Sequence, residues 1–349
     1  MEKPYPRKIY STGNPLLEEQ IERLMDSATG HFSERDVMRE MMVTAIRLGF
    51  DGVERGDMKL MNAAMKELRY AFNVFGPYRH IRKVAIFGSA RTPRKNADYQ
   101  LAKKFATSMV RKGWMVITGA SSGIMNAGNE GAGRTHSFGV NIRLPFEQEA
   151  NPVIANDSKL INFKYFFTRK LIFVRESDAT VLFPGGFGTH DEGFETLTLV
   201  QTGKATPRPI ICIDPPQSQY WSAWREYLVE HLAIRKMIDH EDMDLIHFTH
   251  DAEDAARVIA RFYKNYHSMR YIHQNLIIRI KRKLTASQLR TINRRFAPIL
   301  STGKISQWEK PFEEEDNEPH THHLIRLVLH FNRRHFARLK LLIDALNHL

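Results

Sequence analysis

The sequence predicts an α/β protein, a doubly wound parallel sheet with helical extensions at its N- and C-terminal ends. Two observations carry that expectation. From residue 83, short apolar runs alternate with longer helical patterns, the signature of parallel strands joined by crossover helices. Three of those runs end in small, flexible residues, as strands do where a sheet offers its carboxyl edge to a ligand.

The elements follow in chain order. Residues 14–76 read as helical: Asn14-Pro15 pairs a capping residue with proline at the first helical position, and Ser33-Glu-Arg-Asp36 opens a second helix. Gly76-Pro77 closes this region. The expected strands are Val84–Phe87, Met115–Thr118, Val140–Leu144, Ala179–Phe183 and Pro209–Ile213, with a helix over Asn162–Val174. After Asp251 helical patterns return. Ile277, Ile278 and Ile280 read as part of a packed helix, and His322–Leu349 as one long closing helix. Pro311–Pro319 reads as a solvated acidic loop before it. The expected organisation is a helical arm over 1–80, a central α/β domain over 81–260, and a basic, then helical, extension over 261–349.

Composition narrows the class. With 42% hydrophobic and 26% charged residues, the 349-residue chain reads as a soluble globular protein. No apolar run approaches the ~18 residues of a membrane span, the first residues (MEKPYPRKIYSTG) lack the apolar core of a secretory signal, and Cys212 is the single cysteine. The expected location is the cytoplasm. The net charge of +12 is uneven: residues 261–300 hold ten Lys/Arg and no acid, and residues 301–349 balance at seven against seven. That leaves +2 for residues 1–260. One segment makes the chain basic, and it either pairs with acidic surface elsewhere or meets nucleic acid.

The candidate chemistry lies in the loops. Val84–Phe87 runs into Gly88-Ser89-Ala90, Met115–Thr118 into Gly119-Ala-Ser-Ser-Gly123, and Ala179–Phe183 into Pro184-Gly-Gly-Phe-Gly-Thr189. Such loops turn backbone N–H groups toward an anion, and a following helix adds its positive end. None matches G-x-G-x-x-G or the P-loop, which disfavours a nicotinamide dehydrogenase or an NTPase. His320, His322 and His323 read as ordinary exposed histidines rather than a metal site. Glu192 has two readings: the far end of a capping box with Thr189, or a functional carboxylate sharing a helical face with Glu195 below the loop. In Asn162–Val174 the apolar stripe is Phe163, Phe167, Leu171 and Val174; Arg169 projects away from it and Lys170 falls within it.

On these residues the chain resembles the LOG family, the cytokinin-activating phosphoribohydrolases often labelled lysine decarboxylases. Pro184-Gly-Gly-Phe-Gly-Thr-His-Asp-Glu192 matches that family's P-G-G-x-G-T-x-x-E signature, Phe166–Lys170 its R-K element, and Phe87-Gly88-Ser89 its first glycine turn. The longer bacterial type is the nearer likeness. One loop departs from that type, because Gly119-Ala-Ser-Ser-Gly-Ile-Met-Asn126 stands where it usually reads G-A-G-P-G-I-M-E.

The resemblance implies a Rossmann-like fold and hydrolysis of the N-glycosidic bond of AMP-like, possibly cytokinin, nucleoside 5′-monophosphates. It places the catalytic residues at Arg169 and Glu192 and the phosphate loop at Gly185–Thr189. The remaining substrate-binding candidates are Gly88, Ser89, Gly119, Gly123, Lys170 and Glu195, with Gly185, Gly186, Gly188 and Thr189 in the loop. Neither metal nor other cofactor is expected. The expected partners are the nucleotide and further copies of the chain, as a homodimer or larger oligomer, with no membrane. The alternative is a non-catalytic binder of nucleotides or single-stranded nucleic acid on the same fold.

Overall fold

The computed structural model describes residues 10–27, 34–143 and 149–349, in two compact units, Met1–Glu67 and Leu68–Leu349. In the first unit, α1 (Pro15–Ser27) packs on α2 (Arg35–Phe50) through Ile21, Met25 and Val43. Asn14 caps α1 as expected, its side chain accepting from the Leu16 N–H at 3.0 Å. Ser33 lies outside the described residues. The third helix, α3 (Arg55–Phe75), continues into the second unit.

The second unit begins with β1 (Lys83–Phe87), α4 (Ala97–Arg111), β2 (Met115–Thr118), α5 (Ile124–Ala132), β3 (Ser137–Ile142) and β4 (Leu160–Phe163). It continues with α6 (Phe166–Glu176), β5 (Ala179–Leu182), α7 (Phe187–Gln201), β6 (Ile210–Ile213), α8 (Tyr220–Tyr227), β7 (Ile246–Thr249) and α9 (Ala252–Phe262). The seven strands form one parallel, Rossmann-like sheet in the order β4-β3-β2-β1-β5-β6-β7. The chain builds outward from β1 to β4, then returns to the other side of β1 to build outward again. The crevice between β1 and β5 is therefore the switch point at which such sheets accept ligands. Register sets Phe87 beside Leu182, so the loops after β1 and β5 leave the sheet side by side.

Helices cover both faces, which explains the unbroken apolar runs. Val84, Ile86, Val116 and Val181 point into one core, and Ala85, Phe87, Ile117 and Leu182 into the other. All five expected strands are present, each end within three residues of the expected one and Met115–Thr118 unchanged; Leu144, the end expected for the third, lies outside the described residues. The expected helix over Asn162–Val174 gives way at its start to β4, where Asn162 and Phe163 pair with Asn141 and Ile142.

After α9 the expectation of helices alone is wrong. The chain forms a second, antiparallel sheet, in the order β10-β11-β9-β8, from β8 (Tyr266–Ile272), β9 (Asn275–Ile280), β10 (Leu300–Trp308) and β11 (Ile325–Phe331). Between and after its strands come α10 (Ala286–Phe296) and α11 (Phe336–His348). Ile277, Ile278 and Ile280 lie on β9, where β-branched side chains fit the pleat better than a helix. The single closing helix is likewise two elements. Ile325–Phe331 is a strand that pairs with both β9 and β10, and α11 starts only after a turn in which Arg333 takes φ 56°.

The acidic loop is not simply solvated. Glu315 is fully buried; it accepts from Arg279 Nε at 2.6 Å and Arg326 Nε at 3.0 Å, and Glu318 also pairs with Arg279. Arg326 is itself fully buried. Part of the basic 261–300 segment is thus neutralised inside the molecule. Removing one member of a buried pair leaves an uncompensated charge, so Glu315→Ala is expected to cost about 3–5 kcal/mol of unfolding free energy, measurable by urea denaturation.

Candidate functional site

A cleft of about 750 Å³ opens at the switch point. Gly88, Ser89, Ala90 and Arg91 form one wall; the other is the β5–α7 loop with the first turns of α7, and Phe166, Arg169 and Met125 complete it. Of the residues expected at the site, Gly88, Ser89, Arg169, Gly185, Gly186, Gly188, Thr189 and Glu192 line this cleft. Gly119, Gly123, Lys170 and Glu195 do not, and act on it from behind. The sequence reading did not name Phe87, Ala90, Arg91, Met125, Phe166, Phe187, His190 and Asp191 as site residues; five of them adjoin residues it named.

The loops are held together by their own backbones. The Ser89 N–H donates to Pro184 O at 3.1 Å and Ile124 N–H to Ser89 O at 3.0 Å, joining the ends of β1, β5 and β2. Gly123 takes φ 61°, and a Cβ there would overlap the Ser89 carbonyl oxygen. Its glycine is required by both conformation and space. Gly186 and Gly188 differ: a Cβ at either would meet nothing within 4 Å. Those two leave the mouth of the loop open.

The first helical residue of α7 is Phe187 and its N-cap is Gly186, which corrects the capping-box reading of Glu192. Thr189 is the third helical residue, and its N–H already donates to Gly186 O at 3.0 Å. Phe187 and Gly188, at the first two positions, have N–H groups without intrahelical acceptors, at the positive end of the helix. Glu192 sits a full turn inside α7, where a cap contributes nothing.

Glu192 is nevertheless buried, its side chain 6% exposed. Arg169 Nη1 stands 4.0 Å from Glu192 Oε1, and Lys170 Nζ 3.9 Å from Oε2. Burial pushes the Glu192 carboxyl up to about 7, against the pull of Lys170 and Arg169. Burial lowers the Arg169 guanidinium too, with Glu192 opposing it. Lys170 is also lowered by burial, but its hydrogen bonds to Asp191 and Glu195 more than offset this and its pKa is raised. Its ammonium lies 2.9 Å from Asp191 and 2.6 Å from Glu195.

Lys170 is largely buried as expected, but the orientation expected for Arg169 is reversed. Phe167 and Leu171 face solvent, at 52% and 49% exposed, while Thr168, Ile172 and Phe173 are buried. Arg169 therefore turns inward, where its Nε donates to Val140 O at 3.0 Å and its guanidinium lies 5.1 Å from the Phe173 ring centre. Gly119 makes room for it, since a Cβ there would come within 2.8 Å of Arg169 Nη2 and 2.6 Å of Met125 Sδ. Gly119→Ala is accordingly expected to displace the Arg169 guanidinium with little loss of thermal stability, since only the far ends of two flexible side chains must move, and a melting curve checks it.

The loop that departs from the longer type is tied into the scaffold. Ser122 Oγ donates to Ala90 O at 2.7 Å, and Asn126 Nδ2 donates to Tyr99 Oη at 2.8 Å and Glu130 Oε1 at 3.2 Å. Neither residue lines the cleft. Gly119–Gly123 also reads G-x-S-x-G, a spacing the sequence reading passed over, but its central Ser121 is not among the cleft-lining residues. No group of three or more potential metal ligands occurs among the described residues, and no described helix is long and apolar enough to cross a membrane.

The site is thus an open glycine loop, a helix N-terminus and a buried Arg–Glu pair at the switch point of a Rossmann-like sheet, the place where such sheets accept ligands. Residues 118–259 match the LOG-family domain model described as possible lysine decarboxylase. No curated protein matches the sequence. Among solved structures, the molybdenum cofactor carrier protein of Chlamydomonas reinhardtii is similar at 18% identity, over 51% of this chain and 96% of that one, with a TM-score of 0.36. The molybdenum cofactor binding protein of Rippkaea orientalis is similar at 18% identity, over 51% and 94%, with a TM-score of 0.36. DNA processing protein A of Streptococcus pneumoniae is similar at 11% identity, over 68% and 86%, with a TM-score of 0.37.

Proposed function

We propose that this protein hydrolyses the N-glycosidic bond of AMP-like nucleoside 5′-monophosphates, releasing free base and ribose 5-phosphate. The observation that carries the reading is Glu192. Its carboxyl is buried in the cleft wall, raised to about 7, and has no structural role as a cap. A general base is most effective with a pKa near the working pH.

The 5′-phosphate would rest on the N–H groups of Gly186, Phe187 and Gly188, which sets C1′ over Glu192. As the C1′–N bond breaks, its electron pair stays on the base, which takes a proton from solvent, and C1′ becomes oxocarbenium-like. Water adds to C1′ and gives its proton to the Glu192 carboxylate. Arg169, anchored on Val140 O, holds Glu192 in place and keeps part of it ionised.

The residues do not fit the decarboxylation that the family's name suggests. Pyridoxal-dependent decarboxylation needs a free lysine amine for the Schiff base. Lys170 lies outside the cleft lining, with its ammonium held by Asp191 and Glu195.

The alternative, a single-strand binder, needs exposed aromatic platforms among the cations. In 261–300, Phe262, Tyr263, Tyr266 and Phe296 are buried, and Tyr271 lies under Arg333. Incubation with a panel of purine and pyrimidine nucleoside monophosphates, with free base followed by chromatography, tests the proposal and reads its base preference. Retention of every monophosphate intact would sink it.

A further inference from the structure

The β5–α7 loop is held from behind by a latch that the glycine signature does not include. Tyr220, the first residue of α8, reaches across from the end of β6 to this loop. Its hydroxyl donates to Gly185 O at 2.5 Å and lies 2.7 Å from His190 Nε2. A tyrosine hydroxyl has one proton, and the carbonyl can only accept it, so His190 Nε2 carries a proton and donates to Tyr220. The Tyr220 oxygen is therefore fully engaged, tied to the loop on one side and to α7 on the other.

The support for Tyr220 is rigid. Trp221, next to it, is 2% exposed; its indole Nε1 donates to Ile213 O at 3.1 Å and its backbone N–H to Asp214 Oδ2 at 3.3 Å. The rings of Tyr220 and Trp221 meet edge-on with centres 4.8 Å apart. The latch is thus fixed to the end of β6 and not to a mobile surface.

The consequence lies in the Gly185–Gly186 peptide. A trans peptide places its C=O and N–H on opposite sides, and no described peptide bond is cis. With Gly185 O drawn toward Tyr220, the Gly186 N–H points the other way, and it meets no acceptor among the described residues. Without the latch, this glycine-flanked peptide could rotate and present its carbonyl, which repels an anion.

We propose that Tyr220, backed by His190, is a positioning residue that fixes this peptide with its N–H available to the substrate's phosphate. The inference rests on the phosphate-reading role of the loop. It predicts a selectivity effect: a latch that orients one donor matters for a phosphorylated substrate and not for one that lacks the phosphate.

The test is Tyr220→Phe, which removes the hydroxyl and keeps the ring. Turnover of AMP and of adenosine is measured as kcat/KM in the wild type and the variant, with a melting curve for each. The expected result is about a 10-fold loss for AMP, adenosine unchanged within about twofold, and weaker competitive inhibition by inorganic phosphate. His190→Phe, which leaves Tyr220 without its donor, should narrow the AMP-to-adenosine ratio in the same direction by a smaller factor. It serves in place of Tyr220→Phe if that variant fails to fold. A folded variant with an unchanged ratio and unchanged phosphate inhibition overturns the latch. A wild-type ratio already near one overturns the phosphate-reading role instead, which separates the two failures.

Discussion

Replacing Glu192 by glutamine is expected to lower AMP turnover about 10³-fold or more while the protein stays folded. A positioned acid–base group typically contributes ~10²–10⁴-fold, and the amide cannot take a proton from water. The pH dependence follows from the same carboxyl. Because the ionised form is the base, kcat/KM should fall as pH drops through about 7, and this limb should vanish in the variant.

Stability moves the other way. The carboxyl rises from 4.5 in the unfolded chain to about 7 in the folded protein, so its stabilising contribution is complete below 4.5 and lost as pH rises through about 7. A rise of that size corresponds to about 3 kcal/mol. Glu192→Gln should therefore gain stability relative to the wild type between pH 5 and 8, measured as the difference in melting temperature. A capping residue would behave oppositely, losing stability and keeping activity.

The second large effect concerns the glycine loop. AMP should be cleaved at least ~10²-fold more efficiently than adenosine, because binding energy from the non-reacting phosphate is used to orient C1′ in the transition state. Gly186→Val should produce a comparable loss with AMP itself. The backbone there, at φ −89° and ψ −157°, is extended and open to any residue, and a Cβ meets nothing within 4 Å. The variant should fold normally and obstruct only the space the anion requires. Comparing kcat/KM for both substrates in both proteins checks this. Equal cleavage of AMP and adenosine would mean that the loop does not read phosphate.

What the sequence disclosed depends on how local the physics is. The central strands were legible because parallel strands buried on both faces leave continuous apolar runs, and the loops because glycine clusters mark their ends. β4 and β7 were missed: each has four residues, and Asn162, His247 and Thr249 interrupt the apolar pattern. Leu, Ile and Phe spaced through 322–349 fit a helix as well as a strand followed by a helix, and only pairing with β9 and β10 decides. The inward turn of Arg169 was hidden for a similar reason. An apolar stripe shows that a helix has two faces, but not which one packs; here Phe167 and Leu171 face outward. The burial of Glu315 and the latch at Tyr220 join residues 11 to 36 positions apart, and no local pattern encodes them.

The most direct test of the central claim is product analysis after incubating AMP with the wild type and with Glu192→Gln at pH 8. Free adenine and ribose 5-phosphate should form one to one in the wild type, with the rate lowered about 10³-fold or more in the folded variant. Adenosine with inorganic phosphate as the products, or adenine released equally fast by both proteins, would contradict the account.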